Sequence, residues 1–194
     1  MKIIVANDEA FNFTYKANID ALAQLGNVSF FSPIHDSALP DADLLYLPGG
    51  YPELFADELS ANTPMLNAIK EYAEKGGRIF AECGGFMYLC NDIDGISLCS
   101  VLPMSATMNG AHLHLGYRQA SFNGITIRGH EFHYSSILND SNLPSEIETL
   151  RIQTNAKGES IDTPIYRYKN ILAGYTHWYW ADNPKILLKI INFK

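Results

Sequence analysis

The chain has few positive charges and no cluster of them. Its 194 residues include 14 Lys and Arg against 21 Asp and Glu, which gives a formal net charge of -7. Proteins whose main partner is nucleic acid or an anionic membrane surface carry basic patches that neutralise phosphates. The composition therefore argues against both classes and leaves a small molecule or another protein as the partner.

Cysteine is scarce, and long apolar runs are missing. Cys83, Cys90 and Cys99 cannot all pair, and none belongs to a Cys-x-x-Cys motif, as is typical of proteins from a reducing compartment. The first apolar run is broken at Asn7, which is too early for a signal peptide or a membrane-spanning helix. We therefore expect a cytoplasmic protein.

Apolar runs and helical patterns alternate along the first half of the chain. Strands are predicted at 2–6, 28–32, 43–47 and 78–81, and helices at 15–26 and 62–77. Strands that alternate with helices favour a parallel sheet covered on both faces. After Cys90, turn-rich alternating segments predict antiparallel strands, and a closing helix is predicted from Asn183. The pattern predicts one α/β domain over residues 1–194, with antiparallel β additions in its second half.

One predicted strand leads directly into an acid, a thiol and two glycines. The segment Ala81-Glu82-Cys83-Gly84-Gly85 has the small-x-nucleophile-x-Gly form of a nucleophile elbow, with Cys in the nucleophile's position. Unpaired N–H groups and the dipole at a helix N-terminus stabilise a thiolate. Cys83 is therefore a candidate nucleophile, and a buried structural cysteine is the alternative.

Two consecutive glycines end another predicted strand. Gly49 and Gly50 follow Leu47-Pro48, and ligands of open α/β sheets collect at the carboxyl ends of strands. The N–H groups of Gly50 and Gly84 would together form an oxyanion hole. A plain glycine turn is the alternative. The loop after the first strand, with Asn12, Phe13 and Tyr15, lies at the same end of the sheet and can line the same face or serve in capping and packing.

The histidines offer a base but no clear metal site. His177 follows a late apolar strand, from which a loop can reach over the sheet. His130 and His133 are three positions apart and face opposite sides of an extended strand. His112 and His114 share a face, but the sequence shows no third and fourth ligand at zinc-like spacing. We therefore expect no metal site, and a structural role is the alternative for each of these histidines.

Several long blocks resemble a known family. They are DEAFNF, FFSP, LPDAD, LPGGYPELFADELSAN, AECGGFMYL, LGYR, RGHEFHYS and GYTHWYW. In this order they resemble the glutamine amidotransferase domain of cobyrinic acid a,c-diamide synthase, over nearly the whole chain. The resemblance implies a class I amidotransferase fold with a flavodoxin-like core, a mostly parallel sheet and helices on both faces. It also implies that Cys83 is the nucleophile and His177 its base.

The resemblance also implies an activity and a partner. Such a domain hydrolyses glutamine to glutamate and ammonia through a cysteine thioester, and the ammonia amidates the a,c side-chain carboxylates of cobyrinic acid in cobalamin biosynthesis. ATP and Mg are expected on an ATP-dependent synthetase domain or subunit that precedes the amidotransferase in the family. This chain has no G-x-x-x-x-G-K-[ST] loop, so we expect no cofactor here. The aromatic run Trp178, Tyr179 and Trp180 can belong to the docking face or to the core.

One departure concerns the third catalytic group. Triad amidotransferases usually carry an acid two positions after the histidine, whereas the cobyrinic branch that this chain resembles carries a second histidine there. This chain has Tyr179, which supplies no charge. Glu82 and Glu131 are possible substitutes.

The block RGHEFHYS supports the family resemblance without indicating a chemical role. We place its His130, Glu131 and His133 near the site, on a possible substrate or partner face that also includes Gly49, Glu82 and Tyr179.

Two other functions remain open from the sequence. A catalytically silent docking module would keep the fold and lose turnover, which Tyr179 and the missing synthetase domain favour. Another cysteine-nucleophile hydrolase or peptidase on the same scaffold would cleave substrates other than glutamine. Glutamine-dependent covalent chemistry at Cys83 would distinguish an amidotransferase from the silent docking module.

Overall fold

The computed structural model describes residues 1–122, 124–138, 143–181, 184, 186, 187 and 189. The strands are β1 (Lys2–Ala6), β2 (Asn27–Phe31), β3 (Leu44–Leu47), β4 (Arg78–Glu82), β5 (Cys90–Ile93), β6 (Ile96–Ser97), β7 (Leu102–Thr107), β8 (His114–Phe122), β9 (Ile125–His133), β10 (Ser136–Leu138), β11 (Ile147–Leu150), β12 (Gln153–Thr154), β13 (Ile165–Tyr168), β14 (Ile171–Gly174) and β15 (His177–Tyr179). The helices are α1 (Lys16–Ala23), α2 (Ala56–Ala61), α3 (Thr63–Glu74) and α4 (Gly84–Leu89), with a 3-10 turn at Pro52–Leu54.

A seven-stranded sheet organises the chain, in the order β11-β13-β14-β4-β3-β1-β2. The strands β2, β1, β3, β4 and β14 run parallel, whereas β13 and β11 extend the sheet in antiparallel fashion. The predicted α/β fold with a mostly parallel sheet is confirmed. Parallel pairing brings the carboxyl ends of β1, β3, β4 and β14 to one edge, which is where the candidate site lies.

The second half adds two four-stranded sheets. The predicted antiparallel additions are confirmed, except that β5 and β7 pair in parallel. One sheet has the order β10-β7-β5-β6 and the other β12-β8-β9-β15. In the second of these, β8 and β9 form a long antiparallel ribbon, and β15 pairs with β9 so that His177 lies opposite His130. This ribbon therefore reaches back to the edge of the central sheet.

The central sheet is covered on both faces, because side chains alternate along each strand. Ile3 and Val5 pack in one core cluster with Leu22 of α1, while Ile4 packs in the other cluster with Ile69 of α3. The near-continuous burial of β1 and β3 follows from this arrangement.

The helix α3 begins and ends at the residues that the sequence indicated. Asn62 accepts a hydrogen bond from the Met65 N–H at 3.4 Å, and Pro64 lies in the first turn. Gly76 has a φ of 83°, which ends the helix. The closing helix predicted from Asn183 lies largely outside the described residues. Within the described ranges, no helix combines the length and the apolar character needed to cross a membrane.

Asn18 of α1 connects this helix to the segment that carries His177. Its side chain is fully buried, donates to the Trp178 carbonyl at 2.7 Å and accepts from the Trp180 N–H at 2.8 Å. Two buried backbone groups thus depend on one amide.

We expect Asn18→Ala to lower the free energy of unfolding by about 2–4 kcal/mol, because it leaves a buried N–H and a buried carbonyl without partners. The measurement is urea unfolding, with Asn27→Ala as the control, since Asn27 is an exposed position of β2. The control is expected to stay within about 0.5 kcal/mol of the wild type. Equal effects of the two substitutions would contradict this account.

Candidate active site

Cys83 lies at a sharp turn between β4 and α4. Its φ of 47° and ψ of -106° place a non-glycine residue at positive φ, a strain that costs about 1–3 kcal/mol and must be held by its surroundings. The Cys83 N–H donates to the Gly174 carbonyl at 2.8 Å, and the Gly85 N–H donates to the Pro48 carbonyl at 3.0 Å. The strand-to-helix turn predicted from the sequence is therefore present.

A cavity of about 290 Å³ opens beside Cys83. It is lined by Phe13, Gly50, Tyr51, Cys83, His130, Phe132 and His177. The cavity brings together the predicted nucleophile and the predicted base. The hydrogen bond that Cys83 Sγ makes in this structure goes to the Phe132 carbonyl, at 3.8 Å.

Two glycine positions allow the backbone to approach the site closely. A Cβ on Gly84 would lie 3.0 Å from the Gly50 nitrogen, so the backbones of Gly50 and Gly84 lie against each other. A Cβ on Gly49 would lie 2.2 Å from Cε1 of His177, a distance that no side chain tolerates. The Pro-Gly-Gly turn thus contacts both the nucleophile's turn and the histidine ring.

Burial of Cys83 determines its protonation state. It raises the pKa of the thiol to about 12, and the negative charge of Glu53 adds to the effect. The nearby Gly84 N–H lowers this pKa by less than burial raises it. The stabilised thiolate predicted from the sequence was therefore wrong for the resting chain, since α4 has only six residues and desolvation outweighs its N-terminal N–H groups.

His177 is also buried, and it is neutral at rest. Burial, followed by the neighbouring His130, lowers its pKa to about 3. Its Nδ1 is buried and has no hydrogen-bond partner among the described residues. The site therefore holds a neutral thiol and a neutral imidazole in one cavity.

Tyr179, Glu82 and Glu131, the three candidates for the third catalytic group, have other partners. Tyr179 packs edge-on against Tyr15, with ring centroids 5.5 Å apart. The Glu82 carboxylate accepts from the Trp178 N–H at 3.0 Å and from the Tyr46 hydroxyl at 2.8 Å. Glu131 belongs to a separate network. No hydrogen bond joins any of the three to His177 in the part of the chain that the structure describes.

Glu131 is held by three donors. Arg118 Nε donates to it at 2.5 Å, His133 Nε2 lies 2.8 Å from its other oxygen, and the Thr163 hydroxyl donates at 3.0 Å. Burial opposes ionisation, but the contacts with His133 and Arg118 prevail and lower the pKa of Glu131 to about 2. The network fixes the end of β9 that lies beside the site.

His130 and His133 face opposite sides of β9, as the sequence predicted. His130 lines the Cys83 cavity, and His133 lines a second cavity together with His114 and Glu131. Strand pairing brings possible ligand atoms of His114, Glu131 and His133 within 4.8 Å of one another, a third group that sequence spacing did not reveal. Arg118 and Thr163 already donate hydrogen bonds to Glu131. That the chain has no metal site stays a prediction.

The remaining expected residues divide between the site and the core. Phe13 lines the cavity and Tyr15 contacts His130, whereas Asn12 is exposed and donates to the Glu9 carbonyl. Trp178 and Trp180 are buried in the core, which excludes them from a docking face. Sequence reasoning missed Tyr51 and Phe132, although Tyr51 directly follows the glycine pair. The contribution of Phe132 is its backbone carbonyl, for which a sequence gives no signal.

Glu82 makes the stability of the fold sensitive to pH. Burial raises its pKa to about 8, so between about pH 5 and pH 8 the folded chain binds more protons than the unfolded chain. This contribution is present below the ordinary pKa of a carboxyl group and is lost as the pH rises through 8. Each pH unit in this window costs up to about 1.4 kcal/mol.

We therefore expect Glu82→Gln to flatten the decline in unfolding free energy between about pH 5 and pH 8, because Gln does not titrate. Urea unfolding at each pH measures the free energy of unfolding of the variant and of the wild type, and the difference between the two values is compared across the pH range. Parallel curves for the two proteins would contradict the shifted pKa.

Comparison with known proteins identifies the family. Residues 2–185 match the model of the CobB/CobQ-like glutamine amidotransferase domain. The cobyrinate a,c-diamide synthase of Methanocaldococcus jannaschii is 41% identical over 204 aligned positions, covering 99% of this chain and 44% of the relative. That of Methanothermobacter thermautotrophicus is 49% identical, covering 73% of this chain and 34% of the relative. The chain thus spans less than half the length of these relatives.

Solved structures support the fold alone. A chain of PurLQS from Thermotoga maritima matches with a TM-score of 0.63 at 19% identity, covering 99% of this chain and 98% of that one. A glutamine amidotransferase from Thermotoga maritima matches with a TM-score of 0.57 at 16% identity, covering 91% and 75%. With the family match and the relatives, these comparisons show that the chain belongs to the CobB/CobQ-like glutamine amidotransferase family.

Proposed function

We propose that this chain hydrolyses glutamine to glutamate and ammonia. The observation that carries the proposal is the placement of Cys83 at a strained elbow, in one cavity with His177 and beside the Gly50 and Gly84 amides. Nucleophile, base and oxyanion donors are the three parts that acyl transfer from an amide requires.

The first half of the reaction forms a thioester. As Cys83 Sγ attacks the side-chain carbonyl carbon of glutamine, its proton passes to His177 Nε2, and the Gly50 and Gly84 N–H groups hold the oxyanion. His177 then returns the proton to the amide nitrogen, the C–N bond breaks and ammonia leaves. Because both groups are neutral at rest, this proton moves only when substrate is attacked.

The second half consumes water. His177 takes a proton from a water molecule that attacks the thioester carbonyl, a second oxyanion forms, and the C–S bond breaks. The thiolate recovers the proton from His177 and glutamate is released. The chain returns to the neutral thiol and imidazole pair.

We expect a diazo-ketone analogue of glutamine to add once to the wild-type chain, because it alkylates the activated nucleophile of a glutamine pocket. Cys83→Ala is expected to abolish the adduct. Cys99→Ala is the matched control, since Cys99 is buried and its pKa is also raised. The measurement is intact mass spectrometry of the three proteins.

An adduct that persists in Cys83→Ala would contradict the assignment of the nucleophile. An unlabelled wild-type chain that also releases no ammonia from glutamine would instead favour the silent docking module.

The proposal extends to an acceptor and a partner. Ammonia that escapes is protonated in water, so a synthetase that uses it must close over the cavity. More than half of each curated relative lies outside its match to this chain. We assign to that portion the ATP-dependent amidation of the cobyrinic acid a,c carboxylates, with this chain as the ammonia source.

Exposed apolar side chains around the cavity support such docking. Phe13, Tyr51 and Phe132 line the cavity and are 39%, 46% and 38% exposed. Leu115 is 62% exposed and lies directly opposite Phe132 on the β8–β9 ribbon. Farther along the same exposed face come Tyr117, which is 76% exposed, and then Gln119 opposite Arg128, so the face becomes polar with distance from the cavity. Patches of this kind mark protein interfaces.

We expect Leu115→Glu to weaken binding to the unmatched portion of the Methanocaldococcus jannaschii synthase by at least about tenfold, because a charge would be buried at the interface. Gln119→Glu adds the same charge on the same strand face and is the control. Isothermal titration calorimetry measures both. Equal affinities of the two variants, or no binding by the wild type, would contradict this docking face.

A further inference from the structure

No carboxylate of the described residues accepts a hydrogen bond from His177 Nδ1, so another contact must orient the His177 ring. In a Ser-His-Asp triad, a buried carboxylate accepts from the second ring nitrogen and holds the imidazole in place. Here Nδ1 of His177 has no hydrogen-bond partner among the described residues. Packing must therefore hold the ring.

His130 stacks against the His177 ring. The two imidazoles are stacked with centroids 4.9 Å apart and an interplanar angle of 17°. The stack follows from the strand register, because His177 of β15 lies directly opposite His130 of β9. The Phe13 ring meets His177 edge-on at 4.6 Å, and the Gly49 backbone contacts its Cε1 side. His177 is thus enclosed by one stacked ring, one ring edge and one backbone.

His130 is itself fixed by a hydrogen bond. The Tyr15 hydroxyl lies 2.8 Å from His130 Nδ1, and the Tyr15 ring packs edge-on against Tyr179 at 5.5 Å. Tyr179 stands two positions after His177, where related triads carry an acid. The residue at that position therefore supports the base indirectly, through Tyr15 and His130.

The chemistry of the stack suits a base that takes up a proton. Burial lowers the pKa of His130, which keeps this ring neutral at neutral pH. In its neutral form the His130 ring adds no positive charge when His177 receives the proton of Cys83, whereas a charged His130 lowers the pKa of His177. A flat neighbour also restricts rotation of His177 without a hydrogen bond.

We propose that His130 is the positioning residue of this site, and that its stacked ring, anchored by Tyr15, holds His177 in the orientation that presents Nε2 to the Cys83 cavity. Stacking thereby takes the place of the carboxylate of a conventional triad. This inference rests on the proposed function of His177 as the general base.

The first test is the release of ammonia from glutamine by the wild-type chain and four variants. His130→Ala removes the stack and is expected to lower kcat by about 10–100-fold with a change in KM below about threefold, since misplacement of a base costs rate more than binding. His130→Phe restores a flat ring but loses the hydrogen bond to Tyr15, so it is expected to lose only about 3–10-fold, as Tyr15→Phe does. Tyr15→Phe keeps the ring but loses its anchor, with an expected loss of about 3–10-fold.

His112→Ala is the matched control, because it removes an exposed histidine near the start of the same ribbon. Thermal unfolding of each variant separates loss of fold from loss of rate. If His130→Phe is as inactive as His130→Ala while both remain folded, the stacking role is overturned.

The second test does not depend on glutamine. Ring nitrogen NMR of His177 is recorded against pH in the wild type, His130→Ala and His130→Phe. The titratable groups around His177 are His130, Glu131 and His133 of β9 and Cys83 of the turn, with Tyr15 behind His130. We expect His177 to titrate at higher pH in His130→Ala, because water replaces the ring and the charge of His130 is lost. The shift is expected to be smaller in His130→Phe, which keeps the ring and loses only that charge.

The two tests distinguish the positioning role of His130 from the proposed hydrolysis of glutamine. An inactive wild type whose His177 signals respond as expected would leave the positioning role standing and would refute glutamine hydrolysis. An active wild type with unchanged kcat and unchanged His177 signals in His130→Ala would refute the positioning role.

Discussion

The candidate site depends on one backbone constraint, the positive φ of Cys83 between β4 and α4. The strain at this residue is opposed by hydrogen bonds from its N–H to Gly174 and from Gly85 to Pro48, which join the turn to the neighbouring strands β14 and β3. These contacts require glycine, since a Cβ on Gly85 would lie 2.1 Å from the Leu47 carbonyl oxygen. The strand order therefore supplies the partners of the turn. The glycine lets the turn pack closely enough to hold Cys83 in its strained conformation.

Burial then determines how the chemistry starts. The same packing that holds the turn removes water from Cys83 and His177, which raises the pKa of the thiol and lowers that of the imidazole. The site therefore does not store an ion pair, and charge appears only as substrate is attacked. Neighbours that hold the rings in place, such as His130 and Phe13, gain importance because no charged side chain of the described ranges is hydrogen-bonded to the base.

Local patterns in the sequence were sufficient to predict the α/β fold and the turn that carries Cys83. Alternating strands and helices, the Asn62 cap and the elbow around Cys83 are short-range patterns, and the structure has each of them. Long-range pairing was not accessible. The cross-strand register that sets His130 on His177, the capture of Glu82 by Trp178 and Tyr46, and the burial of Trp180 arise from residues far apart in the chain. The thiolate prediction failed because desolvation depends on the whole fold.

The most direct test of the central claim is to trap the covalent intermediate. The wild-type chain is mixed with glutamine labelled with carbon-13 in its carbon skeleton, quenched in acid within one turnover and digested for mass spectrometry. The account predicts a labelled glutamyl group on Cys83 and on neither Cys90 nor Cys99, which fragmentation of their shared peptide distinguishes. Ammonia released at the same rate without any acyl group on Cys83 would contradict it.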